Sequence, residues 1–476
     1  MAFGTTSRHE KSSPVSAPRP ASGSTIPTVR QTKVTRLGAA WESHAASLGL
    51  TSSQQRFAKT FFAGHNTFLS GEAGTGKSYL TQALIAFLIK HSVNVGVCGT
   101  TGVASFLIGG QTLNSFCGVG LADEPVSNLI SKVMKNGKAK ARIKAIDVLF
   151  LDEVSMAKGD LLDKVEAVIK VVRYSREPWG GLQLCCIGDL LQLAPVFRGD
   201  EEPKFSFEAE AWKGADIQTI VLKEQMRQRG DPVLLKVLND IRVGNTSSLP
   251  LLSARIGAIF PDDGIDPVRI FCKNVDVDRY NAERLAALPG QAKTYRSLDT
   301  GQPYHIEAFD RNCPAPKVLD LKVGAQVICL VNHDVAAGVC NGSVGVIQSF
   351  TPDGVMVKFK TTTAMIELNE WQMKEQEAGV DGKVRFKVVA SRTQMPLKIC
   401  YSITAHRAQG QTLDRAIVDV SEAFGEGQIY CALSRVRDMA SLSLAAPIPA
   451  RAVRANAKCV AFYQAIEEAE EKPFSF

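Results

Sequence analysis

The chain has 476 residues, of which 45% are apolar and 22% charged. At roughly 100–200 residues per domain this is ordinary globular composition with room for two to four domains, and it excludes a fibrous, collagen-like or wholly disordered chain. No apolar run reaches the roughly 18–20 residues of a membrane helix, and the opening residues lack the apolar stretch of a secretory signal. The 11 cysteines include no Cys-x-x-Cys pair. That argues against a zinc ribbon, and their odd number fits a reducing intracellular compartment. The net charge is +7, but Arg8, Lys11, Arg19, Arg30, Lys33 and Arg36 face only Glu10 in residues 1–40, which leaves +2 for the rest. The net charge therefore says little about partners.

Residues 1–44 are rich in Ser, Thr, Pro and basic side chains, without apolar periodicity, and are expected to form a disordered basic tail. An α/β pattern follows, with a first domain expected over 45–215. Asn66–Ser70, Val95–Cys98, Val148–Leu151 and Leu184–Ile187 read as strands, the last two as continuous apolar runs covered on both faces. Leu80, Leu84, Phe87 and Leu88 mark one helical face between the first two. A second α/β domain is expected over 216–476. Asp231-Pro232 starts a helix that Gly244 closes, and Val268–Phe271, Val327–Val331 and Ile417–Val420 read as strands. Between 345 and 397, short alternating segments with Asp-Gly turns predict an inserted β domain.

Gly71-Glu72-Ala73-Gly74-Thr75-Gly76-Lys77-Ser78 matches the phosphate-loop pattern, placed after a strand and opening a helix. Backbone N–H groups of such a loop curl around phosphate oxygens. Lys77 would reach the β- and γ-phosphates, and Ser78 would ligate Mg²⁺. Asp152-Glu153 ends a strand; an acidic pair there is ordinarily a solvated turn. Downstream of a phosphate loop, the first carboxylate suits Mg²⁺ and the second suits a general base toward water. Gln192, in the loop after the third strand, is placed to sense a γ-phosphate.

Taken in order, these motifs resemble the petite-integration-frequency (Pif-type) family of superfamily-one DNA helicases, related to RecD and the phage Dda helicase. Leu50-Thr51-Ser52-Ser53-Gln54 resembles the Q motif, which implies Gln54 as adenine reader. Thr100–Ala104 with Gly110-Gln111-Thr112 resembles motif Ia, Asp152–Met156 motif II, and Pro178–Gln183 the family's signature stretch. Met226-Arg227-Gln228 resembles motif IV, His406–Thr412 motif V, and Gln428–Arg435 motif VI. The resemblance covers about residues 48–465. It implies two RecA-like P-loop domains, a small wedge insertion at about 113–145 in the first, and an SH3-like character for the β insertion in the second.

The implied activity is ATP-dependent, 5′-to-3′ unwinding of DNA in replication, repair or recombination, by a monomer acting on single-stranded and tailed duplex DNA. Replication or repair proteins would be its partners; nucleus and mitochondrion both suit it. The implied nucleotide site holds Mg²⁺ and ATP with Gln54, Gly71, Glu72, Ala73, Gly74, Thr75, Gly76, Lys77, Ser78, Gln192, Arg227, Gly410 and Arg435. Arg227 and Arg435 are candidate arginine fingers, against a reading as surface ion pairs. Thr101, Thr112, Asn114, Phe116 and His406 are candidate strand contacts. Asn114, Ala194, Arg407 and Ala408 depart from the usual family pattern, which touches strand affinity and coupling more than hydrolysis. The basic run Lys132, Lys135, Lys138, Lys140, Arg142 and Lys144 is either a solvated helix face or a phosphate contact beside the wedge. An RNA-directed helicase, an ATP-driven remodeller and a non-catalytic nucleic-acid scaffold are the alternatives.

Overall fold

A computed structural model describes residues 32–195, 197 and 203–471. Its first domain is built on a six-stranded parallel sheet. The strands are β1 (Thr67–Gly71), β2 (Val95–Gly99), β3 (Gln111–Thr112), β4 (Val148–Asp152), β5 (Gln183–Ile187) and β6 (Gln218–Leu222). Their order across the sheet is β3-β2-β4-β5-β1-β6. β4 and β5 are apolar throughout their middles because helices cover both faces, and Val148, Leu149, Phe150 and Cys185 are fully buried. Parallel pairing places the ends of β1, β4 and β5 on one edge, so the phosphate loop, Asp152-Glu153 and the Gly188-Asp189 turn converge there.

The second domain has a four-stranded parallel sheet in the order Ser402–Thr404, Val268–Phe271, Ala416–Val418, Leu442–Leu444. The inserted β domain is wider than 345–397: its five-stranded antiparallel sheet uses Gln326–Cys329, Val344–Phe350, Val355–Phe359, Thr363–Ile366 and Leu397–Ile399 around its own core. Within it, Asn369–Ala378 and Val384–Gln394 form a long hairpin that reaches back to the first sheet. β3 is only two residues long and leaves the first half of β2 as an edge. The Gln376 side chain closes that edge as a peptide group would: its Oε1 accepts from the Val97 N–H at 2.8 Å, and its Nε2 donates to the Val95 carbonyl at 2.5 Å.

The structure departs from two further expectations. The tail was taken to run to residue 44, and residues 1–31 of it lie outside the described residues. Thr35–Leu37 and Gly38–Ala45 are helical, because Trp41 supplies an apolar anchor that stacks on Phe62 at 5.4 Å and meets Phe87 edge-on at 5.1 Å. The C-terminal helix Ala457–Glu471, expected with the second domain, packs on the first: Cys459 and Tyr463 join the core cluster that contains Phe68 and Trp212. Its ends are pinned by Lys458 to Glu208 at 2.7 Å and by Glu470 to Arg56 at 2.5 Å and Lys223 at 2.9 Å.

The segment between β3 and β4 is helical (Leu113–Cys117, Val126–Lys135, Gly137–Ala145). Its basic run is divided in use. Arg142 is buried and donates to the carbonyls of Phe116 and Ser115, both at 2.5 Å. Lys132 pairs with Glu124, Lys138 with Glu377, and Lys144 sits over the Tyr174 ring.

Candidate nucleotide site and cleft

The phosphate loop bends through left-handed backbone at Gly74 (φ 88°) and Gly76 (φ 86°), which only glycine adopts without strain. Space demands glycine as well. A Cβ on Gly74 would lie 2.6 Å from Arg227 Cβ, and one on Gly76 would lie 2.6 Å from Gln54 Nε2. The helix Lys77–Lys90 starts at once with no side-chain cap, so its first N–H groups and dipole point into the cleft.

A cavity of about 480 Å³ opens between the domains, the size range of small-molecule and cofactor sites. Ala73, Gly74, Gly76, Lys77, Ser78, Glu153 and Gln192 line it from the first domain, and Arg227, Gly410 and Arg435 from the second. Tyr79, Met226, Gln409, Thr412 and Arg437 complete the wall.

The charges in the cleft are unbalanced locally. Arg227 donates to the carbonyls of Ser434 (3.0 Å) and Gly410 (3.3 Å), and Arg435 to the Ala408 carbonyl (3.0 Å) and Ser434 Oγ (2.6 Å). Neither has a carboxylate partner among the described residues, and the buried Arg435 Nε has no hydrogen-bond partner there. Burial and the Arg435 charge beside it lower the pKa of Arg227 to about 9. Lys77 Nζ turns onto the loop, donating to the carbonyls of Gly71 (2.7 Å) and Glu72 (2.9 Å), and burial lowers its pKa. Such a set of cations suits a polyanion, whose oxygens can take charge-assisted hydrogen bonds from all three.

Opposite stand the acids. Burial raises Asp152 to about 6; burial and then the Asp152 charge raise Glu153 to about 7. Glu153 holds left-handed backbone (φ 53°) at the end of β4, and its carbonyl accepts from Thr100 Oγ1 at 2.7 Å. Ser78 is exposed beside the loop. The Ser78 hydroxyl and the Asp152 carboxylate are hard oxygen donors of the type Mg²⁺ takes. No cluster of three or more His, Cys, Asp or Glu suited to a metal occurs among the described residues.

Some implied site residues sit elsewhere. Gln54 is buried, with its Oε1 accepting from the Thr51 N–H and its Nε2 donating to the Thr75 carbonyl. Its amide thus fastens the loop from behind. Glu72 and Thr75 do not line the cavity: the Glu72 carboxylate accepts from Gln225 at 2.5 Å, and Thr75 Oγ1 donates to the Glu72 carbonyl at 2.9 Å. Thr101 and Thr112 each cap a short helix through a side-chain oxygen, and Asn114 donates to the Gly120 carbonyl. His406 and Arg407 are exposed. Phe116 is a correction: its ring is fully buried in the first core and covered by Arg142, so no base can stack on it. Trp179 is likewise core, its Nε1 donating to the Ala211 carbonyl. Ala408 is fully buried, so the side chain at that position faces the second core.

Among the lining side chains that the sequence did not single out, one bonds the acidic wall. Gln409 reaches across the cleft, donating to Glu153 Oε1 at 3.1 Å and Gln192 Oε1 at 3.3 Å. It lay inside the quoted His406–Thr412 stretch, and its amide was the available signal.

A phosphate loop and an acidic strand end on one sheet, facing paired arginines from a second, define a P-loop nucleotide-binding protein of two RecA-like domains. The model of the PIF1-like helicase family matches residues 51–246, and that of the DNA helicase Pif1 2B domain matches residues 305–350. The chain belongs to the Pif1-like helicase family. It is 33% identical over 425 residues to the ATP-dependent DNA helicase PIF1 of Danio rerio, covering 88% of this chain but only 64% of that protein. The crystal structure of the Pif1 helicase from Candida albicans shares 34% identity, with a TM-score of 0.69 over 88% of this chain and 99% of that one. Pif1 of Bacteroides sp in complex with ADP-AlF4 shares 28% identity, with a TM-score of 0.77 over 88% and 97% of the two chains.

Proposed function

We propose that this chain is an ATP-dependent DNA helicase that moves 5′ to 3′ along a single strand and separates duplex ahead of it. The observation that carries the reading is the cleft itself. Lys77 and Glu153 of one domain face Arg227 and Arg435 of the other across a nucleotide-sized cavity, and both arginines lack a carboxylate partner among the described residues.

In this reading the loop N–H groups and Lys77 hold the phosphates of ATP. Ser78 and Asp152 hold Mg²⁺, which would offset phosphate charge. Glu153 orients the attacking water and takes its proton, a task suited to a carboxyl titrating near neutrality. Arg227 and Arg435 meet the charge that develops on the γ-phosphate, a contribution of about 10³–10⁵ in rate in related sites. Because these groups belong to different domains, triphosphate binding favours the closed cleft and hydrolysis releases it. Strand contacts would come from the loops at the carboxyl ends of both sheets, with Thr101, Thr112, Asn114 and His406 as candidates. Contacts of that kind fall mainly on the sugar–phosphate backbone. The DNA assignment is supported by the name of the Danio rerio relative.

The test measures Mg²⁺-dependent ATP hydrolysis and unwinding of 5′-tailed and 3′-tailed duplexes, with Lys77→Ala as control. Opening of the 5′-tailed duplex alone, lost in Lys77→Ala, is the expected result. Strand-stimulated hydrolysis that opens neither duplex replaces the helicase by a translocase or remodeller. Stronger stimulation by RNA than by DNA overturns the substrate.

A further inference from the structure

Behind the phosphate loop lies a buried polar network that runs from the cavity wall at Gln192 into the first core. Its centre is Asp189, 1% exposed, in the turn after β5. Arg242, at the end of the second-domain helix Pro232–Arg242, donates to Asp189 Oδ1 at 2.8 Å and Oδ2 at 3.4 Å. Burial alone would raise the Asp189 pKa, but the charges of Arg242 and Lys77 hold it below its ordinary value, so the group is an anion. The same carboxylate accepts from Gln192 Nε2 at 3.1 Å, and Gln192 Oε1 in turn meets Gln409, which bonds Glu153.

Tyr463, on the C-terminal helix, closes this network from the far side. Its hydroxyl accepts from the Leu190 N–H at 3.1 Å, lies 2.5 Å from Ser70 Oγ, and donates to Asp189 Oδ1 at 3.3 Å. One hydroxyl can satisfy all three contacts only if Ser70 donates to it and Asp189 accepts its hydrogen bond. Ser70 is the residue before the phosphate loop, and Leu190 begins the loop that carries Gln192. The Tyr463 hydroxyl thus ties the entry of the phosphate loop to the base of the γ-phosphate-sensing loop. The guanidinium of Arg242 lies 4.9 Å from the centre of its ring.

We infer that Tyr463 is a positioning residue for ATP hydrolysis: through Asp189 it fixes where Gln192 points, which makes the C-terminal helix part of the hydrolytic apparatus. The inference rests on the proposed function above. A helix that only filled the core would need the ring but not the hydroxyl. Here the hydroxyl has three partners, Ser70 at the end of β1 and Asp189 and Leu190 in the turn after β5, and each loses a hydrogen bond when it is removed.

Tyr463→Phe in the full chain tests this, because it keeps the ring and removes only the oxygen. Affinities for ADP and for ADP with aluminium fluoride are measured together with kcat and KM for strand-stimulated hydrolysis. The expected result is a loss of about tenfold in kcat and in aluminium-fluoride-dependent affinity, with ADP affinity and KM within about twofold. Wild-type values throughout, or an equal loss for both ligands, would overturn the inference. If Tyr463→Phe does not fold, Ser70→Ala removes the donor that directs the Tyr463 hydroxyl hydrogen toward Asp189 and is held to the same selective loss. A wild-type chain that neither binds nor hydrolyses ATP refutes the proposed function itself. A wild type that turns over, matched by its variant, refutes only the role of Tyr463.

Discussion

Glu153 and Arg435 are the two residues whose chemistry is most exposed to test. Glu153 is raised to about 7 by burial first and the neighbouring Asp152 charge second. A base must be deprotonated to act, so kcat/KM for ATP, which reports the free enzyme, is expected to fall as pH drops through about 7. Glu153→Gln should abolish turnover while nucleotide affinity persists, and a pH–rate series beside a binding titration checks both. Arg435→Ala should lower kcat by about 10³ with ATP still bound. Arg435→Lys should recover little of that, since a point charge does not reproduce the planar fork that donates to both Ala408 and Ser434. Steady-state kinetics of the two variants would settle the matter, and wild-type kcat in Arg435→Ala removes the finger assignment. Trp41 carries a structural prediction. Its ring is 3% exposed among Phe62 and Phe87, so Trp41→Ala should cost about 3–5 kcal/mol, seen as a lower midpoint of thermal unfolding for the first domain.

At the scale of elements, the hairpin Asn369–Ala378 and Val384–Gln394 is the clearest case of one domain completing another. Gln376 satisfies the Val95 carbonyl and Val97 N–H that the short β3 cannot reach. Asn94 adds bonds to the Gly382 carbonyl and the Val384 N–H at the hairpin tip. Gln376→Ala should therefore speed hydrogen exchange at the Val97 amide by about tenfold or more while β4 and β5 amides keep their protection. Uniform loss of protection across the sheet would show instead that the hairpin supports the whole domain. Local sequence signals predicted the strands themselves well. Continuous apolar runs identified β4 and β5, and the Asp231-Pro232 start marked the helix that runs to Arg242. The hairpin was hidden, because its partner in the first sheet lies some 280 residues away in the chain and no local pattern encodes a side chain that pairs with a distant strand edge.

The groups proposed to act on ATP lie on two domains, so the proposed nucleotide cleft is also the interface between them. Tyr430 of the second domain accepts a hydrogen bond from the Ala73 N–H of the phosphate loop at 2.9 Å, and the Asp189–Arg242 pair crosses the same boundary. Breaking that buried pair from one side strands a charge. Arg242→Ala is expected to be severely destabilising, while loss of an exposed pair such as Lys213–Glu210 should cost under about 1 kcal/mol. Paired denaturation curves would show the contrast. The sequence by itself determined the phosphate loop, the acidic strand end, the order of the motifs and hence the two-domain class, because each is a local pattern whose chemistry depends on neighbouring residues. Only the tertiary structure decided that Phe116 is core, that Gln54 braces the loop, that Gln409 spans the cleft, and that the last helix returns to the first domain. Those outcomes depend on burial and on contacts between residues hundreds of positions apart, and such contacts exist only once the sheets have formed and stacked.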